Sequence, residues 1–187
     1  MRTALRFIWL LVAAVGATAA LVIVATTQMT TGIGNSTRPV PPFFLARPAH
    51  DFRLRTFQGR WLALSDFRGD IILLNFWASW CPPCKQEMPN LMRARESFGP
   101  RELVVLGINV QDNPERAAAF LRTLRITYPN LYDPGQERIY AYKVTALPTT
   151  IFIDRQMRIR ARFVGGYIGE RGYQELREQI RTLLALR

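Results

Sequence analysis

An α/β fold, with a central mixed β-sheet flanked by helices, is predicted by three observations. Residues 71–77 (IILLNFW) and 103–110 (LVVLGINV) are continuous apolar runs of strand length, as suits central strands buried on both faces. Segments with helical spacing, at 84–98 and from Asn113 to about Leu124, alternate with these runs. Residues 149–154 and 158–164 read as two more strands joined by a tight turn near 154–156. They must therefore be antiparallel, which makes the sheet mixed.

The elements follow in chain order. Residues 7–25 (FIWLLVAAVGATAALVIVA) carry no charge, and a bilayer core of about 30 Å needs roughly 20 helical residues. Arg2 and Arg6 precede the run, and no Lys or Arg follows until Arg38. That asymmetry predicts a transmembrane anchor within residues 1–25, a cytoplasmic N-terminus and a domain on the far side. A rival reading is a signal peptide cleaved after the small-residue pattern Ala17-Thr18-Ala19, although residues 21–24 carry the apolar run on to spanning length. Both readings export the domain. Residues 26–42 are rich in Thr, Gly, Ser, Asn and Pro and read as a flexible linker, stiffened by Pro39, Pro41 and Pro42.

The folded domain is expected at 43–187. It opens with a strand pair, 51–56 and 61–64, around the turn at Gln58-Gly59. The helix of 84–98 places Met88, Leu91, Met92 and Arg95 at neighbouring positions. Asn113 is the expected cap of the next helix, with Pro114 in its first turn. Residues 171–186 form a closing amphipathic helix. Trp61, Phe76, Phe120 and Tyr142 read as core.

Composition narrows the function. The 187 residues suit one ordinary domain plus an appendage, and 49% are apolar, enough to bury a core. The formal net charge is +11, but the positives are nearly all Arg and are scattered. With no zinc-finger spacing and no RNA-binding aromatic motif, no nucleic-acid partner is expected. The chain has 2 cysteines, too few for a disulfide scaffold. A zinc site would need two more soft ligands, and the single His50 is distant in sequence and reads as a surface residue. No metal or cofactor is expected.

The chemistry lies in Phe76-Trp77-Ala78-Ser79-Trp80-Cys81-Pro82-Pro83-Cys84-Lys85, where a buried strand ends and a helix begins. A helix N-terminus carries roughly half a positive charge and unpaired N–H groups, which stabilise a thiolate and lower its pKa. Cys81 is thus the expected exposed nucleophile, and Cys84, one turn further, the buried resolving thiol. Pro82 and Pro83 suit the first turn, where a missing N–H is harmless.

These residues resemble the thioredoxin superfamily, and most closely its membrane-anchored, extracytoplasmic TlpA/ResA-like and cytochrome c maturation branch. The likeness runs from about Phe43 to Leu184, with Trp80-Cys81-Pro82-Pro83-Cys84-Lys85 its most specific part. Pro89 matches the proline that kinks the active-site helix. Val144-Thr145-Ala146-Leu147-Pro148-Thr149-Thr150 matches the family's cis-proline segment. The resemblance implies that Pro148 is cis beside the cysteines and that the Leu147 backbone pairs with an extended substrate. It also implies a substrate contact at Trp80, beside Pro82 and Pro83. Glu87 matches the branch's acidic residue three places after the second cysteine, implying proton transfer or tuning of the pair. Asn75 stands where thioredoxins carry a buried Asp, so their proton relay is not implied. The extra N-terminal strand pair and the turn at 64–69 also fit this branch.

The resemblance implies an extracytoplasmic thiol–disulfide oxidoreductase held at the cell membrane by one span. It would reduce disulfides of exported proteins, such as apocytochrome c, and draw electrons from a membrane thiol-transfer protein. A disulfide-forming oxidase with the same site is the alternative. A thiol peroxidase fits less well, because position 78 is Ala where peroxiredoxins place a Thr.

Overall fold

The computed structural model describes residues 47–186. The expected anchor at 1–25, the linker at 26–42 and the first residues of the expected domain lie outside the described residues. Among those described, no helix is long and apolar enough to cross a membrane.

Among the described residues eight strands form one sheet in the order β1-β8-β7-β4-β5-β6-β2-β3. They are β1 (Arg47–Pro48), β2 (Arg53–Thr56), β3 (Trp61–Ala63), β4 (Ile71–Trp77), β5 (Leu103–Asn109), β6 (Asn130–Tyr132), β7 (Thr149–Ile153) and β8 (Arg158–Val164). Four helices accompany them: α1 (Pro82–Phe98), α2 (Pro114–Thr123), α3 (Glu137–Ala141) and α4 (Gly169–Leu184). β4, β5 and β6 are parallel, β7 runs antiparallel to β4, and β8 pairs antiparallel with β7. The sheet is mixed, as expected. The expected N-terminal strand pair is the β2–β3 hairpin, which joins the sheet through β6.

β4 sits at the centre because every residue of IILLNFW can be buried, and every one is. Successive side chains alternate faces. Ile72, Leu74 and Phe76 pack with Leu106, Ile108, Ile151 and Ile153. Ile71 and Leu73 face the opposite way, toward Leu91 of α1 and Leu176 and Ile180 of α4. The same alternation points Asn75 to the α1 side. The face away from α1 is covered by Ile139 and Ala141 of α3, by Tyr142, and by Leu64 and Phe67 of a 3-10 turn.

Three short elements escape sequence reading: β1, β6 and α3. Each spans at most five residues, less than two helical turns or three strand alternations, so no periodicity announces it. Trp61 corrects an expectation. It is 55% exposed rather than core, because β3 is the sheet's edge and Trp61 stands opposite Arg55. The guanidinium groups of Arg53 and Arg55 lie 5.5 and 5.7 Å from its ring centroid. Phe120 is half-buried, stacked on Trp77 at 5.4 Å. Phe76 and Tyr142 are core, as expected.

Gly172 lets α4 approach the chain leading into it. A Cβ there would lie 2.5 Å from the Tyr167 carbonyl carbon and 2.9 Å from its Cα, both backbone atoms with no room to yield. Gly172→Ala should therefore cost at least about 2 kcal/mol. Urea unfolding should show a lower midpoint at an unchanged slope, and an unmoved midpoint would mean the approach is soft.

Candidate functional site

β4 ends at Trp77, the last residue paired with β5, opposite Asn109. The chain then turns through Ala78-Ser79-Trp80, closed by the Cys81 N–H donating to the Ala78 carbonyl at 3.2 Å. α1 begins at Pro82, two residues earlier than its expected start, so Cys81 is its N-cap (φ −95°, ψ 103°). Pro82 and Pro83 occupy the first positions and have no N–H. The first amide of the helix able to donate is therefore that of Cys84, which reaches Cys81 Sγ at 3.3 Å. Cys81 and Cys84 are joined as a disulfide with Cα atoms 5.3 Å apart. Once it is reduced, the same amide and the helix dipole favour negative charge on Cys81 Sγ.

Burial separates the two cysteines less than expected. Cys84 is fully buried, but Cys81 is only 3% exposed. It belongs to a cluster with Trp77, Ala78, Cys84 and Met88, against which Phe57 and Leu147 pack. Its sulfur is bonded to that of the fully buried Cys84. The exposed groups at this end are Trp80, Pro82 and Pro83 instead.

Glu87 is wholly buried, on the helical face shared by Cys84, Met88 and Leu91. Its Oε1 accepts from Asn75 Nδ2 at 2.7 Å and its Oε2 from the Tyr167 N–H at 3.2 Å. Burial pushes its pKa from an ordinary 4.5 up to about 8, against the pull of those two bonds. Asn75 also donates to Thr150 Oγ1 at 3.1 Å, while its own Oδ1 is buried without a partner. A half-turn of that amide would set Oδ1 against Glu87, ready to accept the proton of the neutral acid. The asparagine thus suits both protonation states of Glu87.

The Leu147–Pro148 peptide bond is cis. Pro148 is buried, and its carbonyl accepts the Gly165 N–H at 2.9 Å. Pairing of Thr149 with Phe76 brings this loop alongside the end of β4. Leu147 accordingly packs on the cysteine cluster. The site therefore gathers Cys81, Cys84, Glu87 and Leu147 around one end of β4, with Trp80, Pro82 and Pro83 on its surface.

Sequence reading overlooked three neighbours. Ser79 and Trp80 are tied to the loop after β5 through Asp112 and the Gln111 carbonyl. Tyr167 closes the Glu87 pocket from a segment 80 residues away in sequence. The only local hint was the acidic residue next to the Asn113 cap. His50 is exposed at the domain edge, with its ring against Tyr142. Among the described residues no group of three or more His, Cys, Asp and Glu is placed to hold a metal ion.

Comparison with known proteins agrees with this geometry. The sequence model of the AhpC/TSA family matches residues 45–162. The thiol-disulfide oxidoreductase ResA of Geobacillus thermodenitrificans is 32% identical over 117 residues, covering 63% of this chain and 67% of its own. The thioredoxin-like protein YneN of Bacillus subtilis is 36% identical over 121 residues, covering 63% of this chain and 69% of its own. A solved structure from Chlorobium tepidum, provisionally described as a thiol:disulfide interchange protein DsbE, superposes with a TM-score of 0.70 at 28% identity. It covers 76% of this chain and 99% of its own. The fold is thioredoxin-like.

Proposed function

The chain belongs to the AhpC/TSA family and is a thiol–disulfide oxidoreductase of thioredoxin-like fold, and from that premise we propose that it acts outside the cytoplasm as a dithiol reductase of exported proteins, apocytochrome c among them. The observation that carries this reading is the Cys81–Cys84 pair at the N-terminus of α1, with a buried carboxyl on the same helix at Glu87.

In the proposed cycle the Cys81 thiolate attacks one sulfur of a partner disulfide and expels the other as a thiolate. Cys84 then attacks Cys81 Sγ in the mixed disulfide, releasing the partner as a dithiol and leaving Cys81–Cys84 oxidised. Two electrons pass from the chain to the partner. Cys84 must lose a proton in the second step. A carboxyl with a pKa of about 8 is matched to neutral pH and can exchange that proton. Trp80, Pro82 and Pro83 border the docked segment, and the Leu147 backbone beside cis-Pro148 pairs with it.

Exported compartments are oxidising, so the pair has to be reduced again from a membrane thiol electron-transfer protein. The apolar run at 7–25, with Arg2 and Arg6 before it, supports a single-pass anchor with the N-terminus in the cytoplasm. The reducing direction rests on the likeness of Trp80–Lys85 and Glu87 to the membrane-anchored branch, and on the relatives named ResA.

The reduction potential of the Cys81–Cys84 couple tests the direction. Equilibration against a dithiothreitol series should give a value near or below about −270 mV, like thioredoxin. A value near about −120 mV would mean that the chain forms disulfides instead.

A further inference from the structure

Trp80 is 58% exposed, on the short loop that precedes Cys81. A half-free indole on such a loop has several rotamers open to it. Here its Nε1 donates to the Gln111 carbonyl at 2.8 Å. Gln111 presents that carbonyl from a left-handed conformation (φ 51°), sparsely populated by residues other than glycine. Such a conformation persists only where its surroundings impose it.

The Gln111 side chain donates to Gln136 Oε1 at 3.2 Å, and the next residue, Asp112, anchors the loop. Its Oδ2 accepts from the Ser79 N–H at 2.5 Å and from Asn109 Nδ2 at 2.9 Å. Its Oδ1 accepts from Ser79 Oγ and from the Asn113 N–H, both at 2.8 Å. One carboxylate therefore joins the loop after β4 to the loop after β5, and two of its four bonds go to the residue next to Trp80.

We propose that Asp112 is a positioning residue for disulfide exchange: by clasping Ser79 and setting the Gln111 carbonyl, it fixes Trp80 as a wall for the incoming disulfide-bearing segment. The proposal rests on the reading above that Trp80 touches the substrate and Cys81 is the nucleophile. A carboxylate is required, because all four partners present hydrogen to it. An amide at position 112 has one acceptor end only. Turned one way, its NH2 meets the Asn113 N–H. Turned the other way, it meets the Ser79 N–H. A donor is left facing a donor in both orientations, and the clasp opens.

The experiment uses the full chain, with dithiothreitol as electron source and a ten-residue peptide closed by one disulfide as substrate. Asp112→Asn should raise KM for the peptide about tenfold, the scale of a lost hydrogen bond to a charged group, with a smaller effect on kcat. Ser79→Ala, which keeps the backbone bond, should raise KM less. Trp80→Phe keeps an aromatic ring but has no N–H to hold it, and should also raise KM. Because both changes act through one ring, the Asp112→Asn/Trp80→Phe double variant should be no worse than the poorer single variant. The Trp80 contribution to indole emission should shift to the red in Asp112→Asn.

Multiplying KM effects in the double variant would overturn the proposal. So would a lower unfolding midpoint with KM unchanged, since that is what mere support of the α2 cap predicts. If Asp112→Asn fails to fold, Ser79→Ala paired with Trp80→Phe makes the same comparison. Trp80→Phe with wild-type KM would remove the premise that Trp80 touches the substrate, whereas an active Cys81→Ser would remove the exchange mechanism itself.

Discussion

Cys81→Ser is expected to bring disulfide exchange down to the uncatalysed rate, a loss of about three orders of magnitude or more. A serine hydroxyl is not ionised at neutral pH and does not displace a thiolate from sulfur. The Cys84 amide that faces Cys81 Sγ at 3.3 Å would then have no thiolate to stabilise. Cys84→Ser should behave differently. It leaves the first attack intact and removes the second, so the chain should accumulate mixed disulfides with its partners. Non-reducing gels, with and without dithiothreitol, distinguish the two variants. If Cys84→Ser traps nothing while Cys81→Ser still turns over, the exchange cycle proposed here is wrong.

Glu87 should make the folded state progressively less stable from pH 4.5 to about 8, and Glu87→Gln should abolish that dependence. The sign follows from linkage. The folded state holds this carboxyl's proton more tightly than the unfolded chain does, because burial penalises the charged form. The stabilisation is fully present below 4.5, where both states are protonated. It is lost as pH rises through the window, because the unfolded chain gives up its proton first, and the curve flattens above about 8. A displacement from 4.5 to about 8 is worth roughly 5 kcal/mol, at about 1.36 kcal/mol per pH unit. That is a large share of the about 5–15 kcal/mol that holds a typical domain together. Gln has the shape of the neutral acid: its oxygen keeps an acceptor for the Tyr167 N–H and its NH2 can donate to Asn75 Oδ1 once that amide turns, so the variant should surpass the wild type near pH 8. Urea unfolding of the oxidised protein between pH 5 and 8.5 checks this. A wild-type curve flat across the window would mean that Glu87 is neutralised by something other than its own proton.

The elements that sequence reading located best are those with the strongest local signal. β4 and β8 begin and end where the apolar and alternating patterns do. Asn113 caps α2 through the bond its side chain accepts from the Arg116 N–H at 2.9 Å. α1 begins two residues before the helical spacing that starts at Cys84, and Pro82 and Pro83 fill its first turn, where their missing N–H is harmless. β1, β6 and α3 exist because neighbouring strands and packing surfaces were already there to receive them. Trp61 misled because hydrophobicity identifies a side chain that can be buried, not one that is. The edge position of β3 leaves it outside.

At the site, the cysteine pair, its prolines and its place between strand and helix were legible, because that chemistry is set by residues adjacent in the chain. The acid three places after Cys84 was visible too, but its state was not. Whether a helical glutamate is solvated or buried depends on what lies across from it. Here that is Asn75 from β4 and the Tyr167 amide, 12 and 80 residues away. The Asp112 clasp is of the same kind, joining positions 33 residues apart because β4 and β5 run side by side. The sequence by itself determined the cysteine pair and its place at a helix end, since both depend on covalent neighbours and backbone geometry. Only the tertiary structure decided which groups surround that pair, because solvation and hydrogen bonding depend on distances in space that strand pairing creates.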